Sequence, residues 1–546
     1  MYSIVFLLFL FPHVFGYEQD VLTSTANISD PVNQDIYNSK ELFTREPNVT
    51  DINEVVQVKL YCEIDNTHCA KVQAALVSAA YRLSDVLNFR NQIVIKASYY
   101  SFCLNRCSNS TLGWGTPSSQ FTLISLDEAD SNFIYPQALA KQIRAPYTDI
   151  SSWASYDLAV DINHDIYNNE MDSDGIGGFY FANDSSSIED HQVDLEYVVL
   201  HQMIHGLGML SSWAPYFSDS TSPFQELLKG LIPSDNLKMM TPSPNWFVKH
   251  DTGPAYVTGF QPNLIFDKFL KLFIPAKNIT ADLVEYSFDM QGFCIADSPN
   301  SFIVNFMNSF LNNATQSSRA KAMYVSLSTS KTLTFRFTRT NNNHTLYNTN
   351  PYLNSTYDSI QLMTGPDVLS SLQEAYYRPG VSISHVDDDY STTPDFLMTH
   401  HFVKGKTLQM LIEDGYTDIP IIKYNLTISK LVNITTVVHN TTVNTTEKRD
   451  ETIEYVYKSA IGPGILRILE TIGYSTVLTN TNYTTSVIKT NKPDSDCDDI
   501  DGKTYSGISD GDSMPLSTTS LADRIQITNI LQLLLLLLVT TALLYQ

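Results

Sequence analysis

The chain has 546 residues, of which 43% are apolar, enough for a large globular protein with two or three subdomains around a sizeable core. Acidic residues outnumber basic residues by 58 to 34, which gives a net charge of −24. A charge of this sign and size repels nucleic acids and acidic membrane surfaces, so neither is expected as a binding partner.

Residues 1–16 predict a secretory signal peptide, with an apolar core from Ile4 to Phe11 and small-residue cleavage positions at Val14 and Gly16. Thirteen Asn-X-Ser/Thr sequons follow, a density typical of a glycoprotein of the secretory pathway. The predicted glycosylation sites are Asn27, Asn48, Asn109, Asn183, Asn278, Asn313, Asn343, Asn354, Asn425, Asn433, Asn440, Asn444 and Asn482.

An oxidising route of export also predicts that the six cysteines form disulfides. Two local pairs are expected, Cys62 with Cys69 and Cys103 with Cys107, and these leave Cys294 and Cys497. Six cysteines allow about fifteen pairings, so other connectivities stay open.

After a polar leader at residues 17–55, the chain predicts a strand at Val56–Tyr61 and an amphipathic helix from Ala70 to Leu87. Further strands are expected at Gln92–Tyr99 and Tyr156–Ile162. The run from Gly175 to Phe181 is interpreted as an edge strand beside a cleft, where an extended peptide could add through main-chain hydrogen bonds. A glycine-bent edge strand without a ligand is the alternative.

The next predicted helix starts after the N-cap Asp194, runs to Leu210 and contains His201 and His205. Two imidazoles one helical turn apart can bind the same Zn²⁺, although two structural histidines would give the same spacing. In zinc peptidases of the HExxH type the residue after the first histidine is the glutamate that takes a proton from the metal-bound water. That position is Gln202 here, and an amide cannot act as the base.

Three segments further along the chain complete a pattern with this helix. They are Ser382–Asp387 with His385, Asp395–Met398, and Ile461–Tyr474, which ends in a Gly-Tyr pair. Together with the helix they resemble the metzincin clan of zinc metallopeptidases, and within it the leishmanolysin-like branch. The common metzincin pattern has its third ligand six residues after the second histidine, where this chain has Ser211, whereas the leishmanolysin-like branch interrupts the motif with an insertion.

The resemblance implies that His201, His205 and His385 bind one Zn²⁺, that Gln202 occupies the position of the catalytic base, and that Met398 is the Met-turn residue below the metal. It also implies an α+β fold. Its parts would be a metzincin-like upper subdomain at 56–213, with a mixed twisted sheet and the zinc-binding helix, an insertion subdomain at 214–380, and a smaller, mostly helical lower subdomain at 381–476. A cysteine-rich C-terminal domain like that of this branch is not expected from the sequence.

The insertion separates His205 from His385 and predicts helices at Leu264–Phe273 and Ser301–Leu311 and a strand at Thr332–Phe337. A polar stretch spans Asn341 to Thr356. His250 in the insertion could bind a metal, but an isolated histidine is more often an ordinary surface residue.

In the lower subdomain, residues 425–451 are expected to form an extra hairpin or a loop. His400 and His401 follow the predicted Met-turn closely enough to face the cleft. Either could replace the missing base, and the alternative is a pair with no catalytic part.

Residues 477–513 predict a polar stalk, and residues 514–546 predict a GPI-attachment signal that is removed. A tail anchor is the alternative for the apolar segment Ile530–Tyr545, but basic residues do not follow it. The protein is therefore expected on the outer cell surface, at the plasma membrane or cell wall.

These features predict a cell-surface metzincin-like zinc metallopeptidase homologue that holds a peptide or protein in its cleft. Peptidase activity is expected to be absent or reduced, because loss of a general base costs on the order of 10²- to 10⁴-fold in rate. The alternatives are an active zinc endopeptidase whose base comes from elsewhere and a structural surface glycoprotein.

Overall fold

The computed structural model describes sixteen stretches of the chain and has a mixed α+β fold with several small sheets. The described residues are 43–104, 111–125, 129–144, 153–168, 176–184, 186–218, 222–248, 255–295, 302–338, 351–365, 377–378, 380–419, 421–438, 441–478, 483 and 487–490.

The strands in chain order are β1 (Asn48–Ile52), β2 (Val56–Cys62), β3 (Ile93–Tyr100), β4 (Gly113–Pro117), β5 (Gln120–Ser125), β6 (Ala129–Pro136), β7 (Leu158–Asn163), β8 (Phe179–Tyr180), β9 (Val193–Asp194), β10 (Pro244–Val248), β11 (Ala255–Phe260), β12 (Asn263–Leu264), β13 (Leu270–Ile274), β14 (Ile279–Asp282), β15 (Leu333–Arg336), β16 (Ser359–Leu362), β17 (Ile422–Val438), β18 (Thr441–Tyr457) and β19 (Val487–Thr490). The α-helices are α1 (Asn66–Val86), α2 (Gln137–Ile143), α3 (Asp165–Asn168), α4 (Leu195–Gly206), α5 (Pro223–Leu228), α6 (Ser234–Leu237), α7 (Leu283–Gln291), α8 (Ile303–Asn312), α9 (Ala314–Leu327), α10 (Pro351–Ser355), α11 (Leu408–Gly415) and α12 (Pro463–Ile472).

The largest sheet has the strand order β1-β2-β3-β7-β4. Its three central strands are parallel, and the edge strands β1 and β4 are antiparallel to their neighbours. Helices α1 and α4 pack against this sheet and against each other. The sheet and α4 therefore form the layer that positions the two helical histidines.

The predicted strands β2, β3 and β7 and the helix α1 are confirmed, with small shifts of their ends. Helix α1 begins at Asn66, earlier than predicted, because the Asp65 side chain caps it by accepting a hydrogen bond from the His68 N–H at 2.8 Å. The predicted apolar stripe is buried in the core, at Val72, Leu76, Ala79, Leu83 and Val86.

The prediction of an edge strand from Gly175 to Phe181 is wrong. Of its described residues, 176–181, only Phe179–Tyr180 form a strand, which pairs in parallel with β9 outside the large sheet. The edge strand beside α4 is instead β4. Strand β4 can lie directly on the helix because it contains glycine: a Cβ atom on Gly115 would lie 1.9 Å from the Gln202 carbonyl oxygen.

The prediction of a helix from Leu264 to Phe273 is also wrong. A short 3-10 helix at Ile265–Phe269 leads directly into strand β13. Leu270, Leu272 and Ile274 alternate as buried residues along that strand, which pairs with β14 and β15. Helix α8 and strand β15 confirm the other two elements predicted in the insertion.

The insertion shares its core with the rest of the protein. Its antiparallel sheet has the order β14-β13-β15-β16, while β12 pairs with β6 and Leu362 forms a bridge with Val386. The buried apolar residues on both sides of the predicted boundaries belong to one continuous cluster. The predicted boundaries between the upper, insertion and lower subdomains stay predictions.

Residues 425–451 lie in a long antiparallel hairpin formed by β17 and β18, so the hairpin alternative is confirmed. The Cys62–Cys69 disulfide is confirmed. Cys103 is also disulfide-bonded, but Cys107 lies outside the described residues and its pairing stays a prediction.

Two terminal predictions need correction. Residues 48–52, predicted as part of the polar leader, form edge strand β1, and residues 487–490, predicted as part of the stalk, form β19 against β5. The signal peptide, His250, and the GPI-attachment signal lie outside the described residues. Within the ranges that are described, no helix is long and apolar enough to cross a membrane.

Candidate metal centre

Helix α4 holds His201 and His205, and both of its ends are fixed by specific contacts. The Asp194 side chain accepts hydrogen bonds from the N–H groups of Glu196 at 3.0 Å and Leu408 at 2.7 Å. At the other end Gly206 touches the sheet, since an added Cβ would lie 2.9 Å from the Leu158 Cβ, and Gly208 turns the chain with a φ of +118°. The predicted helix is confirmed but ends at Gly206 rather than Leu210.

Three imidazole rings converge at one point. The Nε2 atoms of His201 and His205 are 3.0 Å apart, and the Nε2 atom of His385 lies 3.2 Å from the first and 3.3 Å from the second. Tetrahedral zinc with nitrogen ligands at about 2.0–2.1 Å places those nitrogens roughly 3.3 Å from each other. The spacing of the three rings therefore fits a metal ion of this kind.

The second nitrogen of each ring is held by a backbone carbonyl. His201 Nδ1 lies 2.6 Å from the Leu397 oxygen, His205 Nδ1 2.8 Å from the Met209 oxygen, and His385 Nδ1 3.0 Å from the Val381 oxygen. Because a carbonyl only accepts, each Nδ1 must donate, and each neutral ring presents the lone pair of Nε2. Three lone pairs at this spacing repel one another unless a cation lies between them.

Burial keeps the three rings neutral. It lowers the pKa of His201 to about 4 and the pKa of His385 to about 3, and it lowers the pKa of His205 well below the usual range. Neutral imidazole is the form that binds metals, so all three rings are ready to act as ligands at pH 7.

Gln202 lies between the two helical histidines and is buried, with 6% of its surface exposed. Its main chain packs under β4, and its Cγ atom would lie 3.6 Å from a Cβ on Gly113. Among the described residues, the group of side chains able to bind a metal contains His201, His205 and His385 and no carboxylate. Position 202, directly after His201, therefore carries an amide, which does not take up a proton at neutral pH.

Met398 lies in the short 3-10 turn Phe396–Met398 and is fully buried. The turn contacts one of the three histidines and the residue that follows another. The Leu397 carbonyl holds His201, and the Met398 carbonyl accepts a 2.9 Å hydrogen bond from the N–H of Val386, the residue after His385. The turn thus fixes the third histidine relative to the helix.

The structure brings His400 to the centre but not His401. The His400 ring packs edge-on against His385 with ring centroids 5.4 Å apart, and burial lowers its pKa to about 3. His401 is exposed, and its Nδ1 lies 2.7 Å from a carboxylate oxygen of Asp388.

A buried network next to the centre was missed by sequence reasoning. Asp267 accepts hydrogen bonds from the Ser212 N–H at 2.9 Å and the Ser212 hydroxyl at 2.5 Å. The neighbouring Ser211 N–H donates to the Ser384 hydroxyl at 3.2 Å, one residue before His385. Asp267 and Lys268 together interrupt an apolar run of the sequence, Ile265–Phe266 and Phe269–Leu270, and that interruption is the signal available in the sequence.

Five of the predicted glycosylation sites have exposed asparagines in the described structure: Asn48, Asn183, Asn278, Asn313 and Asn354. The side chains of Asn425, Asn433 and Asn444 are not described, and Asn27, Asn109, Asn343, Asn440 and Asn482 lie outside the described residues. Modification itself stays a prediction at every site.

Comparison with known proteins places the chain in a family. A family model described as SPBPB7E8-like matches residues 23–495. The chain belongs to the SPBPB7E8-like family. One relative, from Schizosaccharomyces pombe and named "Uncharacterized protein PB7E8.01", is 24% identical to this SPBPB7E8-like protein over 367 residues.

That match covers 64% of this chain and 55% of the relative, so the chain spans about half the length of the relative. No solved structure matches the SPBPB7E8-like chain. Because neither description states an activity, its function is inferred from the geometry of the histidine centre.

Proposed function

We propose that this protein is a cell-surface, metzincin-like zinc metallopeptidase homologue that binds one Zn²⁺ and holds a peptide or protein in its cleft. Its peptidase activity is absent or much reduced. The observation that carries the proposal is the convergence of three neutral Nε2 atoms at 3.0–3.3 Å, with every Nδ1 held by a carbonyl.

The order of elements supports the family resemblance. A mixed sheet with an antiparallel edge strand precedes the histidine helix α4, and the third histidine, the turn with Met398 and the closing helix α12 follow. This is the order that the resemblance to leishmanolysin-like metallopeptidases implies. The Met-turn role of Met398 is part of the proposal.

His201, His205 and His385 would hold the zinc, which when bound supplies a Lewis acid that polarises a carbonyl group. Hydrolysis also needs a base to take a proton from water, and Gln202 can only donate or accept a hydrogen bond. The missing base lowers the rate by on the order of 10²- to 10⁴-fold. The centre therefore favours binding over turnover.

Strand β4 offers a place for the bound peptide. It pairs with β7 along one edge. At the two ends of this pairing the Leu112 carbonyl accepts from the Asn163 N–H, and the Ser118 N–H donates to the Asp157 carbonyl. Leu112 and Ser118 therefore direct their main-chain groups towards β7. Alternation then directs the main-chain groups of Gly113 and Gly115 away from β7. An extended peptide can add to such an edge by main-chain hydrogen bonds.

Two observations support the proposed route to the cell surface. The Cys62–Cys69 disulfide fits an oxidising compartment, and the exposed sequon asparagines are accessible to glycosylation. Attachment through a GPI anchor rests on the sequence alone.

Restoring the base tests the proposal. The natural protein and Gln202→Glu, both loaded with zinc, are compared for cleavage of a denatured protein such as casein. We expect each to bind one zinc, and we expect cleavage to rise by about 10²-fold or more in Gln202→Glu. Equal and rapid cleavage by both proteins would contradict the proposal.

The contact of His400 with His385 supports a second candidate, an active zinc endopeptidase in which His400 acts as the base. In that case the natural protein cleaves the substrate, His400→Asn loses at least about 10²-fold in rate, and both retain zinc. A structural glycoprotein, in contrast, would bind no zinc and cleave nothing in any variant.

A further inference from the structure

The third histidine is held by the last strand of the insertion sheet. His385 lies in the segment 383–387, which runs antiparallel to β16 and to Met363, the residue after that strand. The Ile383 N–H donates to the Met363 carbonyl at 2.7 Å, and the Met363 N–H donates to the His385 carbonyl at 2.9 Å. A third bond joins the Asp387 N–H to the Gln361 carbonyl at 3.1 Å. The segment with His385 therefore continues the sheet β14-β13-β15-β16 beyond β16.

The other side of this segment faces the turn with Met398. The Val386 N–H donates to the Met398 carbonyl at 2.9 Å, and Val386 forms a parallel bridge with Thr399. The Leu397 carbonyl of the same turn lies 2.6 Å from His201 Nδ1. Hydrogen bonds of the main chain thus connect the insertion sheet, through the segment with His385, to the turn that holds a histidine of helix α4.

The conformation of Ile383 shows how firmly this segment is fixed. Its φ is +74°, in the left-handed region, and its side chain is fully buried. This region is unfavourable for a β-branched residue, and such a conformation persists only where the surrounding structure determines it. The bond to the Met363 carbonyl and the packing of the side chain in the core hold Ile383 in place, two residues before His385.

A second contact joins the insertion to the turn Phe396–Met398. The hydroxyl of Tyr352, in α10 of the insertion, donates to a carboxylate oxygen of Asp395 at 2.5 Å. The other carboxylate oxygen accepts from the Ile465 N–H, in the first turn of α12, at 2.9 Å. Asp395 is fully buried and directly precedes the turn. Tyr352 therefore fixes the residue at which this turn begins.

Zinc binding is sensitive to the position of the third ligand. His201 and His205 are fixed relative to each other by helix α4, whereas His385 lies 180 residues from His205. Zinc–nitrogen distances in protein sites vary by only about 0.2 Å. A small displacement of the segment 383–387 would therefore move the Nε2 atom of His385 out of bonding distance.

We propose that the insertion is the positioning element of the metal centre, and that Met363 and Tyr352 are positioning residues for His385 and for the turn beside it. The inference rests on the proposed zinc centre and assigns a role to the insertion. Strand β16 holds the third ligand in place, so the affinity for zinc depends on residues that do not touch the metal.

A matched pair of variants tests the main-chain link in the full-length protein. Met363→Pro removes the N–H that donates to His385, and Met363→Leu keeps it with an apolar side chain of similar size. The pairing of β15 with β16 ends at Leu362, so the proline removes no hydrogen bond from that ladder. We expect Met363→Pro to bind zinc about tenfold or more weakly than the natural protein, and Met363→Leu to bind it with unchanged affinity.

A second pair tests the hydroxyl contact. Tyr352→Phe removes the donor to Asp395, whereas Tyr286→Phe removes a hydroxyl from α7 of the insertion, where the Arg319 guanidinium lies over the Tyr286 ring. We expect Tyr352→Phe to bind zinc about tenfold more weakly than the natural protein, and Tyr286→Phe to bind it with unchanged affinity.

Three measurements are made on each protein. Competition with a chelator of known affinity gives the dissociation constant for zinc, and urea unfolding of the metal-free protein shows whether the variant is folded. Co²⁺ in place of Zn²⁺ gives a visible absorption spectrum that depends on the geometry of its ligands. A displaced His385 changes that spectrum, whereas a general loss of stability does not.

If zinc is bound, natural affinity and an unchanged cobalt spectrum in a folded Met363→Pro or Tyr352→Phe overturn this inference alone. An equal loss of affinity in the matched control variant overturns it as well. If Met363→Pro does not fold, the comparison of Tyr352→Phe with Tyr286→Phe decides. Absence of zinc from the natural protein would overturn the proposed function and this inference with it.

Discussion

Asp267 is a fully buried carboxyl group, and its replacement by asparagine should flatten the pH dependence of folding stability. Burial raises the pKa of Asp267 from 3.8 to about 6, against the lowering effect of hydrogen bonds from Ser211, Ser212 and Asn263. The folded protein therefore binds this proton more tightly than the unfolded chain does. Stability from this group is present below pH 4 and is lost as the pH rises towards 6.

The difference between the two pKa values, 3.8 and about 6, corresponds to on the order of 3 kcal/mol. Urea unfolding of the natural protein and Asp267→Asn between pH 4 and pH 7 measures it. The free energy of unfolding of Asp267→Asn, relative to that of the natural protein, should rise by about this amount across the interval. Asparagine keeps an acceptor oxygen for the Ser212 N–H, so the network is retained.

Asp289→Asn is the control, because Asp289 is an exposed carboxylate and its replacement should leave the pH profile nearly unchanged. If the profiles of Asp267→Asn and the natural protein ran parallel, Asp267 would titrate alike in the folded and unfolded chains. The reasoning about its burial would then be wrong.

Other predictions concern the sheet, the metal and the disulfide. Gly115→Ala should lower the free energy of unfolding by about 1–3 kcal/mol, because its Cβ would meet the Gln202 carbonyl at 1.9 Å. Gly292→Ala, which meets nothing closer than 3.6 Å, is the control, and equal urea midpoints for the two would count against this packing. Chelation by EDTA should lower the melting temperature, and added Zn²⁺ should restore it. At a free zinc concentration 100 times Kd, the bound metal raises the free energy of unfolding by about 2.7 kcal/mol. A melting temperature that responds to neither addition would argue against metal binding. The double variant Cys62→Ser/Cys69→Ser should lose on the order of 2–3 kcal/mol, measured by thermal unfolding, and unchanged unfolding would show that this short loop contributes nothing.

The sequence predicted the helical part of the site because its signals are local. An N-cap, an apolar run, two histidines four residues apart and a following glycine indicate α4 without any tertiary information. His385 lies 180 residues from His205, and only the resemblance to a known family brought it to the site. Its position depends on the turn at Phe396–Met398, which cannot be derived from spacing.

The wrong predictions of secondary structure also concern contacts between segments that are distant in the sequence. A short apolar run such as Leu264–Phe273 fits a buried strand as well as a helix, and strand pairing decided between them. Strands β1 and β19 contain polar residues and lie at sheet edges, so they resembled leader and stalk. Asp267 is buried by segments distant in the sequence, and its place in an interrupted apolar run does not by itself predict that burial.

The most direct test of the zinc centre is the zinc content per molecule of the purified protein under metal-replete conditions. It is measured for the natural protein, for His385→Ala and for the control variant His401→Ala. His401 is a suitable control because it is exposed and pairs with Asp388 rather than with the three convergent rings. One tightly bound zinc in the natural protein and in His401→Ala, and its loss in His385→Ala, is the predicted result. No zinc in the natural protein, or equal zinc in all three, would contradict the three-histidine centre.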